Sequence, residues 1–358
     1  MELKTPLYDN HVGLKGKMVN FGGYSLPIEY VGIIDEHMAV RKRSGLFDVS
    51  HMGEVLLTGS DALSTINNLL TNDFTSLKPG MARYSLMCNH DGGVIDDLLV
   101  YCMDVERYWL VVNAANRAKD VAWIEKNLLG NTKMKDISDD IGQIALQGPA
   151  SKELMADFCE DADIPKKYYS FIESAAVLGI PCLISRTGYT GSFGYEVYCA
   201  AKDTKAIWEL MLEKGKSLVM PAALGARDTL RIEASMPLYG HELTEDITPF
   251  EADLGFAIKM QKDDFIGRAA LVKKQDPKRI RVGLKVIGRG IVRDNAKLFK
   301  GNQEVGFTTS GTHLPYLEGA YAMAMVGSVY SAVGTVLSAD VRGRMVDVEV
   351  VAMPFFKN

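Results

Sequence analysis

No C-x-x-C pair occurs among the five cysteines, Cys88, Cys102, Cys159, Cys182 and Cys199. That excludes a zinc ribbon or a dithiol redox motif and leaves the thiols as small apolar core residues of a reducing compartment. No window approaches the roughly 18 uncharged apolar residues that a bilayer span needs, so no membrane association is expected. The opening MELKTPLYDNHV has neither the apolar run of a signal peptide nor an Arg- and Ser-rich presequence, and the expected location is the cytoplasm. Positive charge is not in excess: 40 Lys and Arg against 45 Asp and Glu give 40 − 45 = −5. The chain therefore has no general field for nucleic-acid phosphates, and an anionic ligand must meet a local cationic pocket. Missing too are GxxxxGK[ST], HExxH, GxSxG and a GxGxxG after a strand. The six histidines, His11, His37, His51, His90, His241 and His313, include no i, i+4 pair and no nearby Cys partner. No metal is expected, and structural or surface roles suit most of them. The absence of short-period repeats and low-complexity tracts excludes a solenoid or propeller.

What is present is ordinary globular composition, 47% hydrophobic and 24% charged over 358 residues, enough chain for two or three domains. Strand and helix signals alternate without a strict βαβ rhythm, which implies a mixed α+β architecture. Residues 108–113 read as a buried strand. A helix is expected over 116–129, with Asn116 as N-cap and Val121, Ile124 and Leu128 at helical spacing. Ile141–Gln147 reads as a strand, followed by Pro149 in a first helical turn and a helix over Ser151–Phe158. A further helix is expected over Thr204–Gly215, capped by Thr204, with Ile207, Leu210 and Met211 as its apolar stripe and Gly215 in the left-handed position that follows a last turn. From Ile280 the period becomes two: Ile280, Val282, Leu284 and Val286, then Val346, Val348 and Val350, alternate with polar residues. Glycines at 301, 306, 311, 327, 334 and 343 punctuate this stretch. A small all-β barrel or sandwich over about the last 80 residues follows, with GRAALVKKQDPKR as the linker before it.

Three segments carry possible chemistry. In Asn89-His90-Asp91-Gly92-Gly93-Val94-Ile95-Asp96-Asp97-Leu98-Leu99-Val100, a glycine turn leads into an apolar run with two acids. Neighbouring strand residues face opposite ways, so at most one of Asp96 and Asp97 points into a given pocket. That both acids merely end a strand or accept backbone hydrogen bonds at a turn fits equally well. In Ser185-Arg186-Thr187-Gly188-Tyr189-Thr190-Gly191-Ser192-Phe193-Gly194-Tyr195-Glu196, three spaced glycines permit close ligand approach and Glu196 can accept two hydrogen bonds from a ring with adjacent donors. A plain hairpin with an exposed Glu196 is the commoner meaning of such a pattern. In Gly225-Ala226-Arg227-Asp228-Thr229-Leu230-Arg231-Ile232-Glu233-Ala234, Arg227 and Arg231 share a helical face that suits a carboxylate ligand, although Asp228 and Glu233 could satisfy them as ion pairs.

Together with Gly45-Leu46-Phe47-Asp48-Val49-Ser50-His51-Met52-Gly53-Glu54, Leu146-Gln147-Gly148-Pro149, Leu238-Tyr239-Gly240 and Met353-Pro354-Phe355, these segments resemble the glycine cleavage T-protein family in order and over nearly the whole chain. The resemblance implies a three-domain cloverleaf: two interleaved α+β folate-binding parts within residues 1–275 and a C-terminal β-barrel over 276–358, with tetrahydrofolate in a central channel. It implies that Asp96 is the key acid near the reacting nitrogens, Glu196 the pterin-binding carboxylate and Arg227 a further folate-binding residue, with Tyr84 and Tyr239 as wall residues. It implies transfer of a methylene from the lipoyl arm of a carrier, the H protein, to tetrahydrofolate, with ammonia and dihydrolipoyl carrier as the other products, and needs no metal. The rival activities on this fold are a folate-dependent demethylase of a small sulfonium or amine and a non-catalytic folate binder that supports iron–sulfur cluster assembly. The latter typically carries Lys-Gly-Cys-Tyr-x-Gly-Gln, which does not occur here. One departure stands out: many members have an acidic pair where this chain has Ser192-Phe193, which puts the contacts of that loop in question.

Overall fold

A computed structural model describes residues 2–357. They divide into two units that the chain visits in turn: the residues up to Asn67 with Phe74–Tyr84 and Leu98–Asp228, and Asn68–Asp73 with Ser85–Asp97 and the residues from Thr229 onward.

The first unit is built on a six-stranded sheet in the order Phe171–Val177, Ile180–Ser185, Gly194–Ala200, Ile141–Gln147, Ser44–Asp48, Val219–Pro221. Only its last pair is parallel. The helices Ser151–Phe158 and Thr204–Gly215 cover one face, where Met155, Phe158, Ile207, Trp208 and Met211 pack with Leu46, Ile144, Leu146, Tyr195 and Val197. Each such side chain, fully buried, contributes roughly 1.5–3 kcal/mol. The opposite face meets strands of a five-stranded sheet in the order Met81–Cys88, Val94–Asp104, Arg107–Val112, Gly53–Thr58, Lys133–Asp136. Tyr101, Trp109 and Val111 from this sheet pack there with Phe171, Leu183 and Tyr198. The first two strands of the five run from one unit into the other.

The strand and helix positions read from periodicity hold to within a few residues, but several end details differ. The strand expected at 108–113 is Arg107–Val112, and the helix expected at 116–129 is Arg117–Lys126, so Leu128 lies beyond it. Asn116 makes no side-chain cap bond to that helix, because its own backbone is already helical in a short 3₁₀ turn. Asp203, not Thr204, is the N-cap residue of Thr204–Gly215, and Gly215 has a right-handed φ of −72°. The left-handed residue is Lys216, at φ 48°. Gly215 is needed for space instead: a Cβ there would lie 2.3 Å from a methyl of Val219.

In the second unit, six strands close a barrel in the order Arg279–Val286, Gly319–Gly327, Gln303–Leu314, Lys297–Lys300, Val336–Val341, Arg344–Val351. The alternating Val282, Leu284, Val286, Val346, Val348 and Val350 fill its interior, as the period of two requires. At Gly306 a Cβ would fall 2.1 Å from the Met325 carbonyl oxygen, so glycine permits the close strand approach. The proposed linker is not wholly irregular: Arg268–Val272 is helical and its Leu271 is fully buried. No helix among the described residues is long and apolar enough to cross a membrane.

Candidate active site

Glu196 lies in the Gly194–Ala200 strand, in register with Ser185 on one side and Ala145 on the other. Alternation sends Tyr195, Val197 and Cys199 into the helix-covered core, and leaves Glu196 and Tyr198 facing the second sheet. The carboxylate is therefore buried, 6% exposed, and the exposed-hairpin reading is overturned. Thr187 Oγ1 donates to Glu196 Oε2. Gln143 Nε2 donates to Glu196 Oε1 at 3.3 Å and to Tyr198 Oη at 3.0 Å. Tyr198 Oη meets Tyr101 Oη at 3.0 Å, and Tyr101 Oη meets Thr187 Oγ1 at 3.2 Å. Five side chains thus close a hydrogen-bonded ring. Burial pushes the Glu196 carboxyl above its usual pKa, while Thr187, the Arg227 guanidinium and Gln143 pull it back. A carboxylate has about four acceptor positions, and here the protein fills two. The remaining pair suits a flat ligand edge with two adjacent N–H donors.

Arg227 comes from the Leu224–Glu233 helix, partly buried, with its guanidinium carbon 4.6 Å from the centre of the Tyr189 ring. Burial lowers its pKa, and Tyr189, Glu196 and Tyr198 oppose that shift. His51 follows the Ser44–Asp48 strand in a turn that buried Asp48 holds. One Asp48 oxygen accepts the Ser50 N–H at 2.9 Å, and the other takes Thr5 Oγ1 at 2.6 Å and His11 Nε2 at 2.8 Å. The Tyr30 hydroxyl meets the other His11 nitrogen at 2.8 Å. Burial first and Arg227 second push His51 down to about 4, against the pull of Asp48, so its ring is neutral at pH 7. Its buried Nδ1 bonds to no protein group.

Asp96 and Tyr239 belong to the second unit, whereas Glu196, Arg227 and Tyr84 belong to the first. Asp96 is fully buried within the Val94–Asp104 strand, and the adjacent Asp97 is only half-buried, as opposite-facing neighbours should be. The glycine turn before it is tightly fixed. Asn89 Oδ1 accepts the Asp91 and Gly93 N–H groups, Asn89 Nδ2 donates to the Glu245 carbonyl at 3.1 Å, and a Cβ on Gly93 would overlap that same carbonyl at 1.6 Å. Both acids therefore sit inside a strand rather than at its end. Tyr84, in Met81–Cys88, and Tyr239, in a bridge to Leu243, are both half-buried. Arg231 does not join a ligand-binding face. Its Nη1 is 2.9 Å from Glu242 and its Nη2 is 2.8 Å from Ser310 Oγ, so the ion-pair alternative holds for it, with Glu242 as a partner.

The Ser192-Phe193 departure has a structural answer. Arg41 Nη1 donates to Ser192 Oγ at 2.6 Å and to the Thr190 carbonyl at 2.8 Å, and the Arg186 guanidinium stacks 4.4 Å from the centre of the Phe193 ring. Gly188 and Gly194 leave space for the Gln147 amide, which holds the loop through Thr187, Tyr195 and Thr190. No motif marks Gln143, Tyr101 or Tyr198. The available signal is a polar residue at alternate positions of an otherwise apolar strand, as Gln143 is in GQIAL. Among the described residues no group of three or more His, Cys, Asp or Glu side chains is placed to hold a metal ion.

Residues 7–262 match the family described as GCVT N-terminal domain, and residues 279–357 match the glycine cleavage T-protein C-terminal barrel domain. The aminomethyltransferase of Halalkalibacterium halodurans is 44% identical over 358 residues, covering 99% of this chain and 98% of the relative. That of Bacillus subtilis is 44% identical over 359 residues, covering 99% of each. A solved structure of the glycine cleavage system aminomethyltransferase T from Bartonella henselae superposes with a TM-score of 0.92 at 32% identity, covering 100% of this chain and 99% of that one. With both domain families matched in order along nearly its full length, and a relative's fold reproduced over all of it, the chain belongs to the glycine cleavage T-protein family.

Proposed function

We propose that the protein transfers the methylene of an aminomethyl group, carried on the lipoyl arm of an H protein, to tetrahydrofolate. Ammonia leaves with its nitrogen, the carbon–sulfur bond breaks, and dihydrolipoyl carrier and 5,10-methylenetetrahydrofolate remain. Residues 1–275 carry the folate chemistry and 276–358 form the barrel domain. The observation that carries the reading is the buried Glu196 carboxylate, held by Thr187 and Gln143 with two acceptor positions left over and Arg227 as its countercharge. These residues fit a pterin: its lactam N–H and neighbouring amine form the donor pair that such a carboxylate accepts. Tetrahydrofolate supplies the nitrogens that capture the carbon.

Each residue then has a separable task. Glu196 and Arg227 bind and orient, and Tyr84 and Tyr239 wall the ligand. Asp96, fully buried on its strand, places a fixed negative charge where positive charge develops on the transferred carbon and orients the folate nitrogen. A preorganised group of this kind contributes on the order of 10²–10³ in turnover. Asp96→Asn should lower turnover by about that factor while the dissociation constant for tetrahydrofolate, from titration calorimetry under anaerobic conditions, stays within about twofold. Unchanged turnover in that variant would remove Asp96 from the chemistry.

A further inference from the structure

Gln143 stands beside the proposed pterin carboxylate and has one polar atom that the protein leaves unused. It lies in Ile141–Gln147, opposite Tyr198, and is 2% exposed. Its backbone is fixed on both sides: its N–H donates to Ser50 Oγ at 3.0 Å, and its carbonyl accepts the Val49 N–H at 3.0 Å and Ser50 Oγ at 3.2 Å. Nε2 spends both protons, one on Glu196 Oε1 and one on Tyr198 Oη. The opposite amide orientation would set Oε1 against a carboxylate oxygen, acceptor against acceptor, so the chemistry itself fixes which end is which. The amide oxygen is then buried and bonded to no protein group. Buried carbonyls of this kind almost always find a donor.

The donors nearby do not supply one. The Thr187 hydroxyl proton goes to Glu196, and the buried Trp109 Nε1, on the facing sheet, is itself without a protein partner. Glu196 and Gln143 together leave three acceptor positions unused, two on the carboxylate and one on the amide oxygen. A ligand edge that meets all three carries three successive N–H hydrogens. A 2-amino-4-oxopyrimidine has such an edge: the ring N–H, the amine hydrogen beside it, and the second amine hydrogen pointing the other way.

We propose that Gln143 is a specificity residue whose Oε1 accepts the second exocyclic-amine hydrogen of the pterin, while Glu196 accepts the ring N–H and the first. This rests on the reading of Glu196 as the pterin-binding carboxylate. Gln143 thereby makes the site demand an amine, not merely a lactam, because an analogue without it leaves a buried acceptor unmet.

The test measures binding of tetrahydrofolate and of its 2-desamino-2-methyl analogue to the wild type, Gln143→Met and Glu196→Gln, by calorimetry on the intact protein. The ratio of the two dissociation constants is read on one preparation, so a fraction of misfolded protein lowers the stoichiometry and leaves the ratio unchanged. Wild type should prefer tetrahydrofolate, and Gln143→Met should reduce that preference about tenfold, as expected for one buried hydrogen bond. A Gln143→Met variant that weakens both ligands equally, or neither, overturns the proposal and makes the side chain a support for Glu196 alone. If Glu196→Gln leaves tetrahydrofolate binding unchanged, the underlying assignment of Glu196 fails first, and that result is distinct from the other.

Discussion

Glu54→Gln should stabilise the protein, and by an amount that grows with pH. Glu54 lies in the Gly53–Thr58 strand, 1% exposed, and neither carboxyl oxygen is hydrogen-bonded to the protein. Burial raises its pKa well above 4.5. Arg117 opposes the shift, but its guanidinium is held 2.9 Å from Asp136 and 2.7 Å from Asp139, and those two acids push Glu54 further up. In the unfolded chain the proton leaves near 4.5, whereas the folded protein keeps it to higher pH. Between those limits the folded state binds the extra proton, so stability is fully present below 4.5 and falls as pH rises, by about 1.4 kcal/mol per pH unit. Glutamine has no proton to lose and escapes this slope. At roughly 2–4 °C per kcal/mol for a domain of a couple of hundred residues, the gap in Tm between variant and wild type should widen by about 3–6 °C for each pH unit above 4.5 over which the folded protein keeps the proton. Differential scanning calorimetry across a pH series at constant ionic strength measures it. A gap that is independent of pH, or one that widens toward acid, would refute the reasoning.

Three further outcomes follow from particular contacts. Glu196→Gln replaces an acceptor-only group with an amide that cannot accept from both Thr187 and Gln143, and it should weaken tetrahydrofolate binding by roughly 10–100-fold, measured by calorimetry. Arg231→Met leaves Glu242 buried without its 2.9 Å cationic partner, at a cost of about 3–5 kcal/mol in denaturant unfolding at neutral pH. Burial alone would raise Glu242, and Arg231 with Thr309, Ser310 and the Leu238 N–H holds it below its usual value. That stabilisation is present above the unfolded pKa and lost as pH falls through the folded one, so the cost should shrink on acidification. Gly59→Ala meets both a φ of +119° and the Asn131 carbonyl oxygen 2.3 Å from the new Cβ, and thermal unfolding should show a loss of at least about 1 kcal/mol.

Period two was enough to place an all-β domain over about the last 80 residues but not to choose a closed barrel over a sandwich, because alternate aliphatic residues fill either interior. The Ile141–Gln147 strand and the Ser151–Phe158 helix were legible from local signals of their own, a short apolar run for the one and the proline ahead of the other. Helix ends were less so: the left-handed residue after Gly215 is Lys216, since Gly215 is held by lack of space beside Val219. The site was legible only as separate motifs. Nothing local to Glu196 says that its strand has neighbours on both sides, which is what buries it. Gln143, 53 residues earlier, reaches Glu196 only through that pairing. Arg227 and Arg231 look alike in sequence, and their different fates depend on Tyr189 and Glu196 for one and on Glu242 and Ser310 for the other.

The central claim is methylene transfer from a lipoyl-bound aminomethyl group to tetrahydrofolate. Its most direct test mixes the protein with tetrahydrofolate and a carrier loaded with the aminomethyl-lipoyl intermediate, and follows ammonia and 5,10-methylenetetrahydrofolate in the same reaction. Folate-dependent release of both in equal amounts is the predicted result. Tight tetrahydrofolate binding with no release of either product would contradict the claim and favour a methyl donor that needs no carrier.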